Sequence, residues 1–416
     1  MAASGYRDLL RTPHAARLLG GTLLGRLPNA MAALAIVLFL RSQGSGYGLA
    51  GTLSAVYGLA VAIGQPLLGR AVDRRGQPRV MTAAALLSAA GFALLAAVGP
   101  SPLPVTVLAV VLAGLATPPL EGGLRALWPA VLRHEDQVQK AYALDAAAQE
   151  VLFTVGPLLV TLAVSAASEA AAVVLTGLLG VAGTLVVVSS APSRSWRAAA
   201  REAHWLGALR SRGLAVLLGA CLFVGIALGA FSLAAVAYGD AHGGDSATAC
   251  VLAANGAGAL AGGLGYGSRG WAGVPERRLR LLSLGLAACY PPLLLAPALG
   301  WMLLLAALSG FFLAPTLACA FLVVDRHAPA GTVTEAFSWL VTAIGVGAAL
   351  GTALAGVVAQ HGGTRAGFGV SAAGGAAAML VLLVTGRILT LPNLRSRSEK
   401  DPNRAVEPRF SSTHQA

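Results

Sequence analysis

Charged side chains are scarce in this chain, where Asp, Glu, Lys and Arg make up 11% of the 416 residues. Hydrophobic residues account for 56%, and the mean hydropathy is +0.73. A soluble protein of this length carries about a quarter charged residues, so a soluble class is excluded. Repeated apolar runs of roughly twenty residues match the ~30 Å hydrocarbon core that a membrane helix crosses. The composition therefore predicts a protein of many membrane-spanning helices.

Aromatic residues are also few, at 6% of the chain. The apolar runs consist mainly of Ala, Gly, Val and Leu. They lack the alternation of polar and apolar residues that the strands of a membrane barrel require. This pattern excludes a barrel and predicts an all-α membrane protein.

Motifs for metals, disulfides and nucleotides are missing. The four cysteines lie inside apolar runs without metal-ligand spacing, which is typical of small packing residues: Cys221, Cys250, Cys289 and Cys319. The sequence contains no Cys-x-x-Cys or His-x-x-x-His pair and no G-x-x-x-x-G-K-[ST] loop. We therefore expect no metal, no cofactor and no direct use of ATP.

The positive charge that is present has a clear arrangement. Lys and Arg number 29 against 17 Asp and Glu, a net charge of +12. The arginines cluster on alternate loops, as the positive-inside rule requires, so membrane topology explains them better than nucleic-acid binding does. We therefore predict a multi-pass protein of the cell membrane, with an even number of spans and both termini in the cytoplasm.

Twelve predicted helices divide the chain into two halves of similar length. The first half covers 14–190 and the second 213–388. A basic cytoplasmic linker at 191–212 joins them, and a polar tail at 389–416 is predicted to be disordered. The predicted helices span 14–40, 47–69, 79–99, 103–125, 139–166 and 169–190, then 213–238, 246–267, 279–298, 301–324, 332–359 and 365–388.

A short charged insert, Gly69–Arg79, separates helices 2 and 3 and is predicted to form a tight polar turn. It resembles the G-x-L-a-D-R-x-G-R-R signature of the major facilitator superfamily, which lies between the same two helices in those transporters. Ala71 and Gln77-Pro78 depart from the signature. The residues on its main positions are Gly69, Asp73, Arg74, Gly76 and Arg79.

The resemblance implies a fold of two pseudo-symmetric six-helix bundles that move a substrate by alternating access. It also implies that Asp73 closes a cytoplasmic gate by engaging an arginine of helix 4 and the start of helix 11. The matching candidates are Arg125 and the segment 331–335. A weak echo of the motif at 263–269, between helices 8 and 9, keeps glycines and an arginine but lacks the aspartate.

Ionisable residues inside membrane helices are costly, so each is a candidate for function. Arg26 of helix 1 and Glu150 of helix 5 both lie ~15 Å from the cytoplasmic helix ends at 1.5 Å per residue. Helices 1 and 5 are neighbours in the family, so we predict that the two side chains meet. The pair would either couple proton movement to transport or only fix the packing of the helices.

A second ionisable group, Glu121, Arg125 and Asp145, is predicted nearer the cytoplasm. Glu121 and Arg125 are four residues apart and share a helix face. Gating is the role expected for this group. Glu150 is the preferred proton carrier, followed by Asp145 and Glu121.

Helix 5 also contains Gly156-Pro157, which resembles the core of the family's antiporter signature and favours efflux over uptake. The flanking glycines of that signature are absent, and a proline can simply kink the helix. Five further residues are predicted either to line a central cavity or to pack helices together: Tyr57, Gln65, Asn255, Tyr290 and Trp339.

These observations predict a monomeric secondary transporter that exports a drug or metabolite in exchange for protons, with the lipid bilayer as its surroundings. Proton-coupled uptake of a sugar or similar nutrient is the alternative. A membrane enzyme of the acyl- or glycosyltransferase type is a remote third possibility, because the predicted external loops are too short to hold a catalytic domain.

Overall fold

The computed structural model describes residues 5–132, 134–200, 205–271 and 273–390, and the predicted tail lies almost wholly outside these ranges. The described residues form helices and contain no strand. The long helices are α2 (Ala15–Ser42), α3 (Tyr47–Arg75), α4 (Gln77–Val98), α5 (Leu103–Leu115), α6 (Leu120–Val131), α7 (Glu135–Ala166), α8 (Glu169–Val188), α10 (Arg212–His242), α11 (Asp245–Gly267), α12 (Pro275–Cys289), α13 (Leu299–His327) and α14 (Val333–Val384). Shorter helices are α1 (Tyr6–Arg11), α9 (Ala191–Ser195), α15 (Gly386–Thr390) and two 3-10 turns, Gly207–Arg210 and Pro291–Leu295.

Eleven helical segments in the described part of the chain are long and apolar enough to cross a membrane. One of them, α14, has 52 residues, about twice the length that a span requires. Its backbone leaves the helical region at Gly363 (φ 65°, ψ −163°). Counting α14 as two spans gives the twelve that the sequence predicts.

The helices of each half pack mainly against one another. In the first half α2 and α4 both contact α8, and α5 contacts α3 and α4. In the second half α10 packs along α14, and α11 packs along α13. Small residues allow these close approaches: a side chain at Gly351 would collide with the backbone of Ile226, and one at Gly262 with that of Phe311. Between the halves, α3 and α6 contact α14, and α7 contacts α11 and α13.

The charged insert between the second and third spans is helical, which corrects the predicted polar loop. Helix α3 continues through the motif to Arg75, and α4 begins at Gln77. Gly76 alone reverses the chain, with φ 84° and ψ 160°, a conformation that glycine adopts without strain. Pro78 suits the first turn of α4, where no backbone donor is needed.

Two further features differ from the sequence prediction. The fourth span is broken, because residues 116–119 separate α5 from α6; Pro118 and Pro119 account for the break, since proline lacks the backbone N–H that a helix uses. The short helix α1, which precedes the first span, was not predicted at all. Its residue Leu9 is 2% exposed and joins the same apolar core as Ala15 and Leu18 of α2.

Candidate functional site: the seam between the bundles

The motif aspartate binds the start of the second half's fifth span. Asp73 Oδ1 accepts a hydrogen bond from the backbone N–H of Thr334 (3.1 Å), and Oδ2 accepts one from Glu335 (2.8 Å). The first N–H groups of a helix have no partner within it and carry a partial positive charge. A carboxylate from one bundle therefore caps a helix of the other, as the resemblance implies. We call this end of the molecule, with the end of α3, the start of α14 and the linker, the linker face.

An ion pair that the sequence analysis missed lies beside this cap. Arg70 Nη2 is 2.6 Å from Glu335 Oε1, and the Glu335 side chain is fully buried. The linker contributes as well, because the backbone N–H of Ala208 donates to the same oxygen (3.2 Å) and Arg70 donates to the carbonyl of Trp205 (3.1 Å). Arg70 lies three residues before Asp73, on the same side of α3. That spacing is the signal that could have identified it.

Arg125 is not a partner of Asp73, which corrects that part of the expectation. Both carboxylate oxygens of Asp73 are occupied by the backbone of α14. The Arg125 guanidinium instead lies 3.7 Å from the ring centre of Phe321, a residue of α13. A cation over an aromatic face is attracted by the ring's quadrupole. Arg125 thus contacts the other bundle through an aromatic residue.

Four buried charges form one network inside the amino-terminal half. Asp145 binds Arg26 through Oδ1 (2.6 Å) and Arg125 through Oδ2 (2.8 Å). Glu121 lies 3.1 Å from Arg26 and 3.4 Å from Arg125, and the Gln149 side chain accepts a further bond from Arg26 (2.8 Å). Two arginines face two carboxylates, so the network has no net charge. Such balance is what makes buried charges tolerable in a membrane.

Glu150 lies outside this network, so the predicted Arg26–Glu150 pair does not form. Arg26 belongs with the second ionisable group rather than apart from it. Side chains lean toward the amino terminus of their own helix, and this direction takes Arg26 toward Asp145 and Glu121. Glu150 is one residue beyond Gln149, about 100° around α7, and therefore faces elsewhere.

The direction in which Glu150 faces follows from its neighbours on α7. Ala143 and Ala147 contact Gly267 and Gly263 of α11 in the second bundle. Glu150 is three residues after Ala147, on the same side of the helix. It is half-buried and has no salt bridge among the residues that the structure describes. A lone carboxylate thus lies at the seam between the bundles.

A small cavity of about 10 Å³ opens beside the charge network, enough for about one water. Asn29 lines it, and its buried side-chain oxygen has no hydrogen-bond partner. The cavity is also lined by Arg26, Ala30, Glu121, Gln149, Leu152 and Phe153. Sequence reasoning missed Asn29, although it follows Arg26 by three residues on the same helix face.

Three residues expected to line the cavity or pack helices are engaged in packing. Tyr57 lies 5.7 Å, ring centre to ring centre, from Phe92. Gln65 donates to the carbonyl of Thr117 on the fourth span (3.3 Å). Asn255 donates to Ser309 (3.0 Å) and ties α11 to α13.

The remaining predicted residues lie in several places. Tyr290 is buried and Trp339 half-buried, and the motif residues Arg74 and Arg79 are exposed. Gly156, next to Pro157, approaches Ala30 so closely that a side chain there would collide with it. The Gly-Pro pair therefore marks the contact of α7 with α2.

Hydrogen bonds between the two bundles are concentrated toward the linker face. Within the described ranges, the bond farthest from that face joins Thr342 to the carbonyl of Ala62 (2.9 Å), near the middle of α3. The others involve residues close to the linker-face ends of α3, α7, α11, α12 and α14, together with Tyr6 of α1. The arrangement fastens the seam at one end of the molecule.

Comparisons with solved structures agree with this architecture. The human organic anion transporter MFSD10 (TETRAN) shares 17% identity, covers 89% of this chain and 99% of its own, and gives a TM-score of 0.67. A bacterial homologue of the iron transporter ferroportin, in an outward-facing state, shares 14% identity, covers 89% of this chain and 99% of its own, and gives a TM-score of 0.68. The E. coli fucose:proton symporter FucP shares 14% identity, covers 89% of this chain and 97% of its own, and gives a TM-score of 0.67. At these identities the likeness shows the fold alone.

No curated protein matches the chain in sequence. The family model named Major Facilitator Superfamily matches residues 18–334 and 274–413, which together cover most of the chain. With the capped motif, the twelve spans and the fastened seam, this match shows that the chain is a membrane transporter, not an enzyme, and belongs to the major facilitator superfamily.

Proposed function

We propose that the protein exports a small organic molecule across the cell membrane by alternating access, in exchange for protons. The one-sided seam supports alternation. If the bonds at the linker face break while contacts form at the opposite end, a site between the bundles changes the side to which it is open. In this proposal the structure corresponds to the state that is closed at the linker face.

The linker face is cytoplasmic in this proposal, and both termini lie there. Exposed arginines are frequent at this end and rare at the other, as the positive-inside rule predicts. Those at the linker face include Arg74, Arg75, Arg79, Arg194, Arg269 and Arg277, whereas the opposite helix ends carry Arg41 and Arg365.

The observation that supports proton coupling is the position of Glu150. Asp145 and Glu121 are each already paired with two arginines of their own bundle. Glu150 has no such partner and faces the bundle that moves relative to its own. Its surroundings therefore alternate between a low-dielectric seam and a hydrated cavity, which favour its neutral and charged forms respectively.

The proposed direction of transport follows from the sequence of α7. The Gly156-Pro157 pair at the contact of α7 with α2 resembles the antiporter signature and favours efflux. Uptake is the alternative, because the same carboxylate could also serve a symporter. One of the structural neighbours is named a fucose:proton symporter.

The test uses purified protein in proteoliposomes and three labelled probes: ethidium as a cation, fluorescein as an anion and fucose as a neutral sugar. An antiporter accumulates its probe when the vesicle interior is acidic, because protons leave as the probe enters. A symporter accumulates it when the exterior is acidic. The sign of the effective gradient therefore distinguishes efflux from uptake, whichever way the protein is inserted.

Glu150→Gln should abolish accumulation driven by the pH gradient and leave probe-for-probe exchange measurable. Exchange needs alternation but no net proton movement. Glu169→Gln, at the start of α8, is the matched control and should behave as wild type. Accumulation by Glu150→Gln at the wild-type level would contradict the proposed role of Glu150.

A further inference from the structure

The two bundles meet along two seams at the linker face. The first seam lies between α3 and α14 and contains Asp73, and the second lies between α11 and α7. In the first seam, α3 brings Gly69 against Ser338 of α14, and Asp73 follows four residues later. In the second seam, α11 brings Gly263 against Ala147 of α7, and Gly267 follows four residues later. Gly267 therefore occupies the position that corresponds to Asp73, and it has no side chain with which to cap α7.

The space at Gly267 is filled by a residue from the amino terminus of the chain. A methyl group at Gly267 would collide with the Tyr6 hydroxyl. That hydroxyl donates a hydrogen bond to the backbone carbonyl of Leu264 (2.8 Å). Tyr6 belongs to α1, so a residue attached to the first bundle bonds to a helix of the second.

Helix α1 is anchored firmly enough to hold Tyr6 in place. Leu9 is 2% exposed within the apolar core that also contains Ala15 and Leu18 of α2. The chain turns sharply between the two helices at His14, whose φ is 70°, and α1 also contacts α7. Tyr6 therefore moves with the first bundle, whereas Leu264 moves with the second.

The Tyr6 hydroxyl is a permanent donor. Burial raises the pKa of this hydroxyl to about 12. The group therefore keeps its proton throughout the physiological range and can always donate to the Leu264 carbonyl. A latch of this kind works at any physiological pH.

The second seam also contains hydrogen bonds that join polar groups of the two bundles. Gln139, near the start of α7, donates to the carbonyl of Arg269 (3.4 Å), and Arg278 donates to the Gln139 side chain (3.0 Å). In the first seam, by contrast, a carboxylate caps a helix and Arg70 pairs with Glu335. The Tyr6–Leu264 hydrogen bond is therefore one of several bonds that join the two bundles at the second seam.

We propose that α1 is a latch of the linker face, in which Tyr6 performs for the second seam the closing role that Asp73 performs for the first. The proposal rests on the alternating-access part of the proposed function. It is independent of the coupling ion and of the direction of transport. Opening the linker face separates α11 from the first bundle, so the Tyr6–Leu264 bond must break.

The test measures the distance between nitroxide labels on cysteines introduced at Glu135 and Arg277, one on each side of the second seam. Both positions are exposed. Cys250, the exposed native cysteine, is replaced by Ser. We expect Tyr6→Phe, which keeps the ring and removes only the hydroxyl, to raise the ratio of linker-open to linker-closed molecules about three- to tenfold. Gly267→Ala should act in the same direction by displacing the hydroxyl.

The matched control is Tyr47→Phe, which removes a hydroxyl from a tyrosine 74% exposed at the opposite end of the molecule. It should leave the distances unchanged. Asp73→Asn serves as the reference for opening through the first seam. An unchanged ratio in Tyr6→Phe overturns the latch. If Asp73→Asn shifts the distances in that case, the gate stands without the latch; if it does not, alternation at this face fails as well.

Discussion

The cap that Asp73 places on α14 can be tested by one conservative change, Asp73→Asn. The carboxylate accepts bonds from two successive N–H groups, at 3.1 and 2.8 Å. Asparagine retains one acceptor oxygen and places an NH2 group where the other stood. A donor then faces a backbone donor, and the negative charge that complements the helix end is lost.

The expected free-energy cost of Asp73→Asn follows from the contributions of the cap hydrogen bonds and of the charge. Replacing a good N-terminal cap costs about 0.5–2 kcal/mol, and a charge near a helix terminus contributes about 0.3–1 kcal/mol. Because one hydrogen bond survives, we expect a net loss of about 1–2 kcal/mol from the linker-closed state. At 1.4 kcal/mol per factor of ten, that is a shift of roughly five- to thirtyfold toward the linker-open state.

The assay is the distance between labels at Glu135 and Arg277, together with the exchange rate in proteoliposomes. Asp73→Asn should populate the longer distance and slow exchange, because one half of the cycle becomes less favourable. Asp245→Asn is the control. It removes an exposed carboxylate from the first turn of α11 without touching the other bundle, so it should change neither quantity. Wild-type distances and exchange in Asp73→Asn would refute the gate role.

Two further predictions concern the charge network and the orientation. Arg26→Met should lower the unfolding temperature strongly, by the equivalent of about 3–5 kcal/mol, because it leaves a buried carboxylate uncompensated; Arg26→Met with Glu121→Gln should recover most of the loss, and failure to do so would contradict the balanced network. Single cysteines at Ser101 and Gly243 should react with an impermeant thiol reagent outside the cell, whereas one at Ser195 should not, and the reverse labelling would contradict the proposed orientation.

The helices and the contact of Asp73 with α14 were predictable from sequence for different reasons. A bilayer dictates the length of each span, so apolar runs identify the spans almost directly. The contact of Asp73 with the start of α14 was predictable because the resemblance of the motif implies it, and the free N–H groups of a helix need an acceptor. The motif's polarity was nevertheless a poor guide to its backbone. Polar residues at the end of a span continue the helix beyond the apolar core, and Gly76 alone forms the turn.

The pairing of the buried charges was not predictable by counting residues along helices. Rise per residue gives the depth of Arg26 and Glu150 but not the direction in which either faces. The helical period supplies that direction once one contact is known. Asp145 and Gln149 are four residues apart and both bind Arg26, which turns Glu150 away from α2.

The role proposed for Tyr6 could not be predicted from the sequence, for another reason. Tyr6 bonds to a carbonyl more than 250 residues away in the chain. A helix of six residues has no periodic pattern strong enough to predict. The weak echo at 263–269 indicated where a second seam would lie, but not what fills the place of its missing aspartate.

The two bundles share a fold and differ in their chemistry, which bears directly on the proposed coupling. Within the described residues, the deep ionisable side chains lie in the first bundle, whereas those of the second lie near helix ends. Four of the deep groups neutralise one another through ion pairs within their own bundle, and one of them, Arg125, also lies against Phe321 of the second bundle. Glu150 has no ion pair among the described residues, and it lies three residues after Ala147, which contacts Gly263 of the second bundle. In the proposed mechanism the motion of the bundles therefore changes the proton affinity of this carboxylate. This change couples the motion to the transport of protons.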